Sequence, residues 1–164
     1  MPLADRGHEL DQSIPELETT MEGRPYIKYP KPYRPCTAEE NSGVPFINEP
    51  GQVCFGLTDF RRGDFRALHG HHTWEMIMVD SRSEGAGYVF FEGQWWRAEP
   101  GAVVFVPKGI VHSWSAGNTT GFRMIWIYGG AQAEAGRVWH EKPEEGRSIS
   151  PEEERNATVW TSQG

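Results

Sequence analysis

The sequence predicts an all-β fold, a sandwich or barrel of short strands, and three observations support this prediction. Glycine (19 residues) and proline (12 residues) are frequent in the 164-residue chain, as expected for many tight turns. Turn-forming residues divide positions 53–128 into short segments of strand-like composition. No apolar period of helical length runs through this block. Hydrophobic residues make up 37% of the chain, which is enough to bury a core.

Residues 1–50 are predicted to form an extended N-terminal arm. Proline alternates with aromatic and basic residues between Pro25 and Pro35, a pattern typical of extended chain. Residues 37–40 (TAEE) have capping-box spacing and could begin a single helical turn. We expect this arm to pack along a neighbouring surface, and in a small barrel it could wrap a second subunit.

The barrel itself is predicted at residues 51–130, with eight candidate strands. Turns rich in glycine, proline and short polar residues, such as those at Gly63, Gly93 and Gly109, separate the strands. The predicted strands are residues 53–60, 65–68, 74–79, 87–91, 94–97, 102–106, 111–115 and 122–128.

Residues 131–164 are predicted to be a short C-terminal tail, irregular or helical. Positions 129–136 are rich in small residues, and positions 141–155 are strongly acidic. Ser150-Pro151-Glu152-Glu153 has capping-box spacing with proline at the first helical position. The pattern fits either a short helix or a solvated charged tail.

Charge and cysteine content limit the classes of partner and location. The net charge of −7 and the pI near 5.4 argue against nucleic acid or an anionic membrane as a partner. The N-terminus has no apolar stretch of the signal-peptide type, and no window approaches the length of a transmembrane helix. Cys36 and Cys54 form no CxxC pair and cannot build a disulfide framework. We therefore expect a cytoplasmic protein.

The candidate functional residues are mainly histidines. His69 and His71 lie two positions apart, so in extended chain their imidazoles point to the same face. Glu75 keeps this parity if the chain stays extended, and His112 lies near the end of another strand. An isolated His-x-His pair is more often incidental, but three imidazoles and one carboxylate together suit a divalent transition metal. The spacing leaves open whether Glu75 binds the metal directly or instead hydrogen-bonds to the histidines that bind it.

Two segments resemble the two sequence motifs of the cupin superfamily. Residues 63–75 contain Gly-x5-His-x-His-x3-Glu, and residues 101–112 contain Gly-x5-Pro-x-Gly-x2-His. Two positions depart from the family pattern: Arg82 replaces a glycine after the first motif, and Ala116 replaces an asparagine after the second. Both departures indicate altered loops, because all four ligand positions are filled.

The resemblance implies a double-stranded β-helix (jelly-roll) barrel that holds one divalent metal ion per chain through His69, His71, Glu75 and His112. Fe(II) is the favoured ion, while Mn(II), Ni(II), Zn(II) and Cu(II) suit the same ligands. The resemblance also implies an enzyme that acts on a small, apolar or aromatic, metal-chelating organic molecule. An Fe(II) dioxygenase is the first candidate. The alternatives are a redox-neutral lyase, isomerase, decarboxylase or polyketide-type cyclase, and a non-catalytic module that binds a small molecule.

Strand parity gives further predictions about the pocket. Phe65 shares a face with His69, and Trp114 shares one with His112, so both are candidate substrate-binding residues. Arg123 interrupts an apolar final strand and could anchor a substrate carboxylate or lie at an edge. Glu75 and His72 are the candidate catalytic residues. His72 would act as an acid or base if its turn swings it inward, and otherwise it is exposed.

An apolar patch is predicted on the outside of the barrel. It contains Trp74, Met76 and Met78, with Trp95 or Trp96 from the next hairpin, and exceeds what a small monomer comfortably exposes. Cover by the N-terminal arm or by a second subunit would account for it. Because cupins commonly dimerise, the resemblance favours a homodimer.

Overall fold

Two β-sheets dominate the part of the chain that the computed structural model describes, residues 47–159. One sheet has the strand order β1-β2-β9-β4-β7 and the other β10-β3-β8-β5-β6-β11. The strands are β1 (Ile47–Glu49), β2 (Val53–Phe60), β3 (Phe65–Gly70), β4 (Glu75–Val79), β5 (Gly87–Phe91), β6 (Gln94–Ala98), β7 (Val103–Val106), β8 (His112–Ala116), β9 (Phe122–Gly129), β10 (Val138–Trp139) and β11 (Thr158–Val159). The helices are α1 (Gln132–Ala135), a 3-10 turn (Pro143–Glu145) and α2 (Pro151–Asn156).

The strand order confirms the predicted all-β class and a jelly-roll arrangement. The chain crosses repeatedly between the sheets, so strands far apart in sequence become neighbours, such as β2 with β9 and β3 with β8. All eight predicted strands are confirmed as β2 to β9, with ends that differ by two residues or fewer. Residues 1–46 of the predicted N-terminal arm, which include Cys36, lie outside the described residues. Cys54 is buried in the core.

The core fills the space between the two sheets. In β9, Phe122, Met124, Trp126 and Tyr128 are buried, and the residues between them are only partly buried. This period of two is expected for a strand with one face against a core. Trp114 of β8 faces them from the other sheet and is 1% exposed.

The C-terminal segment forms the predicted short helix, not a solvated tail. Ser150 caps α2: its hydroxyl accepts a hydrogen bond from the Glu153 amide at 3.2 Å, and the Glu153 carboxylate accepts one from the Ser150 amide at 2.9 Å. Glu154 accepts hydrogen bonds from the Tyr88 hydroxyl and the Asn118 amide, which ties α2 to the second sheet. The segment also adds β10 and β11 to that sheet, an addition that the sequence did not predict.

Substituting Ser150→Ala is expected to lower the free energy of unfolding by about 1 kcal/mol, because the capping hydrogen bond to the Glu153 amide is lost. Urea denaturation of the purified protein measures this change. Ser150→Thr is the matched control, since it retains a capping hydroxyl and should stay close to the wild type. Equal stability of the alanine variant and the wild type would contradict the role given to this cap.

The outer face of the first sheet carries the predicted apolar residues. Trp74 is 39% exposed and stacks on Phe105, which is 58% exposed, while Met76 and Met78 are partly buried. Trp95 does not belong to this face: it lies on the second sheet, where Ile149 of the C-terminal segment packs against it. The homodimer stays a prediction. Among the described helices, none has the length and apolar character needed to cross a membrane.

Candidate metal centre

Four side chains from three segments meet at one end of the barrel. Antiparallel pairing of β3 with β8 places His69 opposite His112, His71 follows in the turn after β3, and Glu75 begins β4. One ligand atom from each of the four residues lies within 4.8 Å of the others. All four residues are at most 5% exposed. The structure thus brings together the four residues predicted as metal ligands.

A backbone carbonyl fixes the orientation of each imidazole ring. The Nδ1 atom of His69 lies 2.7 Å from the Ala67 oxygen, that of His71 lies 2.7 Å from the Gly136 oxygen, and that of His112 lies 3.0 Å from the Ile110 oxygen. A carbonyl oxygen only accepts hydrogen bonds, so each Nδ1 must carry the proton. In a neutral ring, Nε2 then has a free lone pair, which is the form that binds a metal.

Two of the Nε2 atoms lie close to the carboxylate of Glu75. His112 Nε2 lies 3.0 Å and His71 Nε2 3.6 Å from the same oxygen, Oε2. His71 Nε2 is buried and has no hydrogen-bond partner among the described residues. Lone pairs and a carboxylate oxygen repel each other at these distances unless a cation, either a proton or a metal ion, lies between them. The donor set therefore fits a divalent transition metal.

Burial favours the form of His69 and His71 that binds a metal. Loss of hydration on burial lowers the pKa of His69 well below its usual value and also lowers the pKa of His71. Burial alone would raise the pKa of Glu75, but the hydrogen bond and charge of His112 bring that pKa below its usual value. The shifts of His69, His71 and Glu75 therefore favour neutral imidazoles at the first two residues and an ionised carboxylate at the third, the forms that coordinate a metal.

These pKa shifts predict how the stability of the metal-free protein depends on pH. The unfolded chain binds protons at His69 and His71 near pH 6.5, whereas the folded chain resists them. The free energy of unfolding should therefore be steady above about pH 7 and decrease as the pH falls below 6.5, where the unfolded state binds more protons. Urea denaturation between about pH 5 and 8 measures this dependence. A rise in stability on acidification through this window would contradict the assignment, and His69→Gln should flatten the curve.

A narrow cavity inside the barrel adjoins two of the four candidate ligands, His69 and Glu75. Its free interior is about 10 Å³, which is room for about one water molecule. Trp114, one of the predicted substrate-binding residues, lines it. The other residues that line it are Arg66, His69, Glu75, Met124, Trp126, Tyr128 and Arg137.

Phe65, the other predicted aromatic residue, does not line this cavity, and Arg66 takes that place. The pairing of β3 with β8 shifts register between Arg66 and His69: Arg66 pairs with Trp114 and His69 with His112. The step from Arg66 to His69 covers three residues of β3 but only two of β8, so β3 contains a β-bulge. The bulge puts Arg66, and not Phe65, on the same face as His69. Phe65 instead packs beside Gly146 of the C-terminal segment.

The structure places the remaining predicted site residues away from the cavity. Arg123 donates two hydrogen bonds to the Asp59 carboxylate, from Nε at 2.7 Å and from a terminal nitrogen at 2.8 Å. That pair lies on the outer side of β9 and β2, and β9 is the central strand of the first sheet, so Arg123 neither lies at a sheet edge nor lines the cavity beside the ligands. His72 is exposed, and its ring lies against Gly136. It is not in the ligand cluster.

Two residues near the ligands were missed by sequence reasoning. Tyr128 pairs with Glu75 across β9 and β4 and contributes a hydrogen bond to its carboxylate. Burial, together with the Glu75 charge, raises the pKa of Tyr128 far above its ordinary value, so the hydroxyl keeps its proton. Arg137 comes from the segment between α1 and β10. The predicted strand at residues 122–128 is apolar on both faces except at Arg123, so alternation gave no signal for Tyr128, and nothing in the sequence pattern indicated Arg137.

Comparison with known proteins is consistent with this geometry. Residues 50–154 match the family described as AraC-like ligand binding domain. A cupin-like protein from Thermotoga maritima has 24% identity and a TM-score of 0.50, over 66% of this chain and 74% of that one. A protein with a double-stranded β-helix domain from Klebsiella pneumoniae has 16% identity and a TM-score of 0.53, over 68% of this chain and 100% of that one. Comparison with the curated proteins gave no match.

The two solved structures support the fold alone, because a sequence identity of 16–24% is too low to transfer a function. The family match covers more than half of the chain and includes all four candidate ligands. This chain belongs to the family of AraC-like ligand-binding domains, within the cupin superfamily.

Proposed function

We propose that the protein is a metal-dependent enzyme that acts on a small, metal-chelating organic molecule. The observation that carries this proposal is the buried convergence of three imidazoles and one carboxylate, whose ligand atoms lie within 4.8 Å of one another. Four protein ligands leave one or two coordination positions of a divalent ion for water or substrate. A cavity with room for about one water molecule adjoins His69 and Glu75, so a water molecule or a single ligand atom has space beside the cluster.

Residues of this chain would divide the tasks of such an enzyme. The three histidines and Glu75 would hold the ion, which supplies Lewis acidity and, if it is Fe(II), electrons for reaction with O2. Tyr128 keeps its proton and donates a hydrogen bond to Glu75, which would hold that carboxylate in place beside the ion. Trp114 and Trp126 line the cavity and exclude water from it.

An Fe(II) dioxygenase is the first reaction class that we propose. The supporting feature is a ligand set of nitrogen and oxygen donors that suits Fe(II) and leaves positions open. The test is anaerobic reconstitution with Fe(II), followed by oxygen-uptake measurements with catechols, 2-hydroxy acids and 2-oxo acids. We expect oxygen uptake in step with substrate loss. Failure of all these compounds to stimulate uptake by Fe(II)-loaded protein would remove this reaction class.

A redox-neutral lyase, isomerase, decarboxylase or cyclase is the second candidate. The observation that favours it is a donor set that also suits redox-inert ions such as Zn(II), which would act as a Lewis acid on a carbonyl or carboxylate of the substrate. Conversion of the same compounds by Zn(II)- or Mn(II)-loaded protein without oxygen uptake would support this class. Tyr128→Phe should lower the metal affinity about tenfold, because the hydrogen bond from Tyr128 to the candidate ligand Glu75 is lost.

A non-catalytic binding module is the third candidate, and the family match favours it because the family is described by ligand binding. Calorimetry and product analysis on the same metal-loaded sample separate this candidate from the enzymes. Saturable binding of a compound that is recovered unchanged, with every tested metal, would support the binding module.

A further inference from the structure

One edge of the first sheet is uncovered at β7, and we propose that this edge pairs with β7 of a second copy of the chain. The strand order β1-β2-β9-β4-β7 places β7 at the end of the sheet, with β4 as its neighbour among the described strands. An uncovered edge presents a row of backbone amides and carbonyls that can pair with another strand. This inference does not depend on the metal site and goes beyond the proposed function.

The backbone groups at this edge belong to Val103 and Phe105. The amide of Val79 in β4 donates a hydrogen bond to the Ala102 carbonyl at 2.9 Å, so Ala102 directs that carbonyl towards β4. Alternate residues of an antiparallel strand do the same, which makes Val104 the next residue bonded to β4. The amides and carbonyls of Val103 and Phe105 therefore point away from β4, and none of residues 47–159 forms a hydrogen bond with them there.

The side chains of β7 are unusual for an uncovered edge. The strand has 4 residues, all of them apolar, and no bulge interrupts its pairing with β4. Val103 is 54% exposed and Phe105 is 58% exposed on the outer face of the sheet. Proteins commonly protect a sheet edge with lysine, proline or a bulge, and β7 contains none of these. Cover by another strand accounts for this composition.

The edge is complementary to itself in one register. A two-fold axis through Val104 would place Val103 opposite the partner's Phe105, and this register uses every outward amide and carbonyl on both strands. A shift in one direction would place Pro107, which has no amide hydrogen, opposite Val103. A shift in the other direction would place Gly101 opposite Phe105, although the Gly101 amide is already bonded within its own chain at 2.8 Å.

The same register joins the apolar outer faces of the two copies. Phe105 pairs with Met76 of β4 and stacks on Trp74 at 6.0 Å, and Val103 pairs with Met78. Pairing of Val103 with the partner's Phe105 would make these side chains one continuous apolar row across the seam. Cross-strand apolar pairs of this kind stabilise a sheet.

The charges that flank β7 also fit a second copy. Glu99 precedes the strand and Lys108 follows it, and both are exposed. Antiparallel pairing about a two-fold axis brings the Lys108 end of one copy to the Glu99 end of the other, so opposite charges meet at both ends of the seam. Glu99 already pairs with Arg97 at 2.8 Å but stays 48% exposed, which leaves it accessible to a second cation. Residues 1–46 lead into β1, at the opposite edge of the sheet, so we assign the β7 edge to a second copy.

Sedimentation velocity of the full chain between about 1 and 100 µM measures the association. We expect a species of twice the 18.6 kDa chain mass at the upper end of this range. Phe105→Lys should weaken association about a hundredfold, because it places a charge in the apolar row and removes the ring from the seam. Val159→Lys is the matched control, since Val159 is also apolar, 48% exposed and on an edge strand, in the second sheet.

Amide hydrogen exchange of the wild type identifies which surface forms the dimer. The amides of Val103 and Phe105 should exchange about tenfold more slowly at the high concentration than at the low one. The amides of Val138 and Trp139 in the edge strand β10 should show no such dependence. If the Phe105→Lys protein does not fold, Val103→Lys makes the same comparison.

Three results would overturn the proposal. The first is a monomer throughout the concentration range, including a monomer whose β7 amides exchange slowly because the edge is covered from within the chain. The second is a dimer whose β7 amides exchange at the same rate at both concentrations, since the dimer would then use another surface. The third is a dimer that the lysine substitution in β7 weakens no more than Val159→Lys does.

Discussion

Replacing His69 with alanine is expected to abolish stoichiometric metal binding, and replacing His72 with alanine is expected to leave it intact. His69 is buried and contributes one of four ligand atoms, whereas His72 is exposed and outside the cluster. Loss of groups that merely support a ligand typically costs tenfold to a hundredfold in metal affinity, so loss of a ligand should cost about a hundredfold or more. Elemental analysis after dialysis against a weak chelator measures the metal content per chain.

The His72→Ala variant controls for general effects of removing a histidine from this segment. Circular dichroism of both variants should match that of the wild type, because the core lies between the sheets and does not depend on the metal. Wild-type metal content in the His69→Ala protein would contradict the ligand assignment. Loss of metal in the His72→Ala protein would do so as well.

Substituting Gly56→Ala is expected to lower the free energy of unfolding by about 3 kcal/mol, the upper part of the range for overpacked cores. Gly56 pairs with Trp126 across β2 and β9, and an added Cβ would lie 2.1 Å from Cζ2 of that ring. The ring cannot easily move aside, since its Nε1 donates a hydrogen bond to the buried Thr58 hydroxyl at 2.9 Å. Thermal and urea denaturation of the metal-free protein measure the loss.

Gly70→Ala is the matched control for this prediction. Gly70 also lies in a strand, but an added Cβ there would meet its nearest neighbour at 3.5 Å, an ordinary contact distance. We expect a change of about 1 kcal/mol or less in Gly70→Ala. The double variant Gly56→Ala/Trp126→Phe should lose less stability than the sum of its single variants, because the smaller ring leaves space for the methyl group. Wild-type stability of Gly56→Ala would show that the two strands are not packed as described.

The strands and the ligands were predictable because both leave a local trace in the sequence. Glycine, proline and short polar residues mark each turn, so the limits of β2 to β9 followed from composition. His69, His71, Glu75 and His112 stand at fixed spacings after glycine turns, and pairing of β3 with β8 converts those spacings into one cluster.

The surroundings of the ligands were not predictable in the same way. A bulge depends on how two strands pair, and the alternation in residues 65–70 contains no sign of it, so Phe65 was expected where Arg66 lies. The carbonyls that accept the three Nδ1 protons belong to Ala67, Ile110 and Gly136. Every residue has a backbone carbonyl, so the sequence does not mark which ones will accept these hydrogen bonds. Arg137 comes from a segment that the pattern assigned to a tail.

The most direct test of the metal centre is anomalous X-ray diffraction from crystals grown with Fe(II) under anaerobic conditions or with Zn(II). The predicted result is one anomalous peak per chain, within bonding distance of Nε2 of His69, His71 and His112 and of a carboxylate oxygen of Glu75. A peak bound by the three histidines alone would move Glu75 to a supporting role. A peak elsewhere, or no peak in protein that retains its fold, would contradict the metal centre.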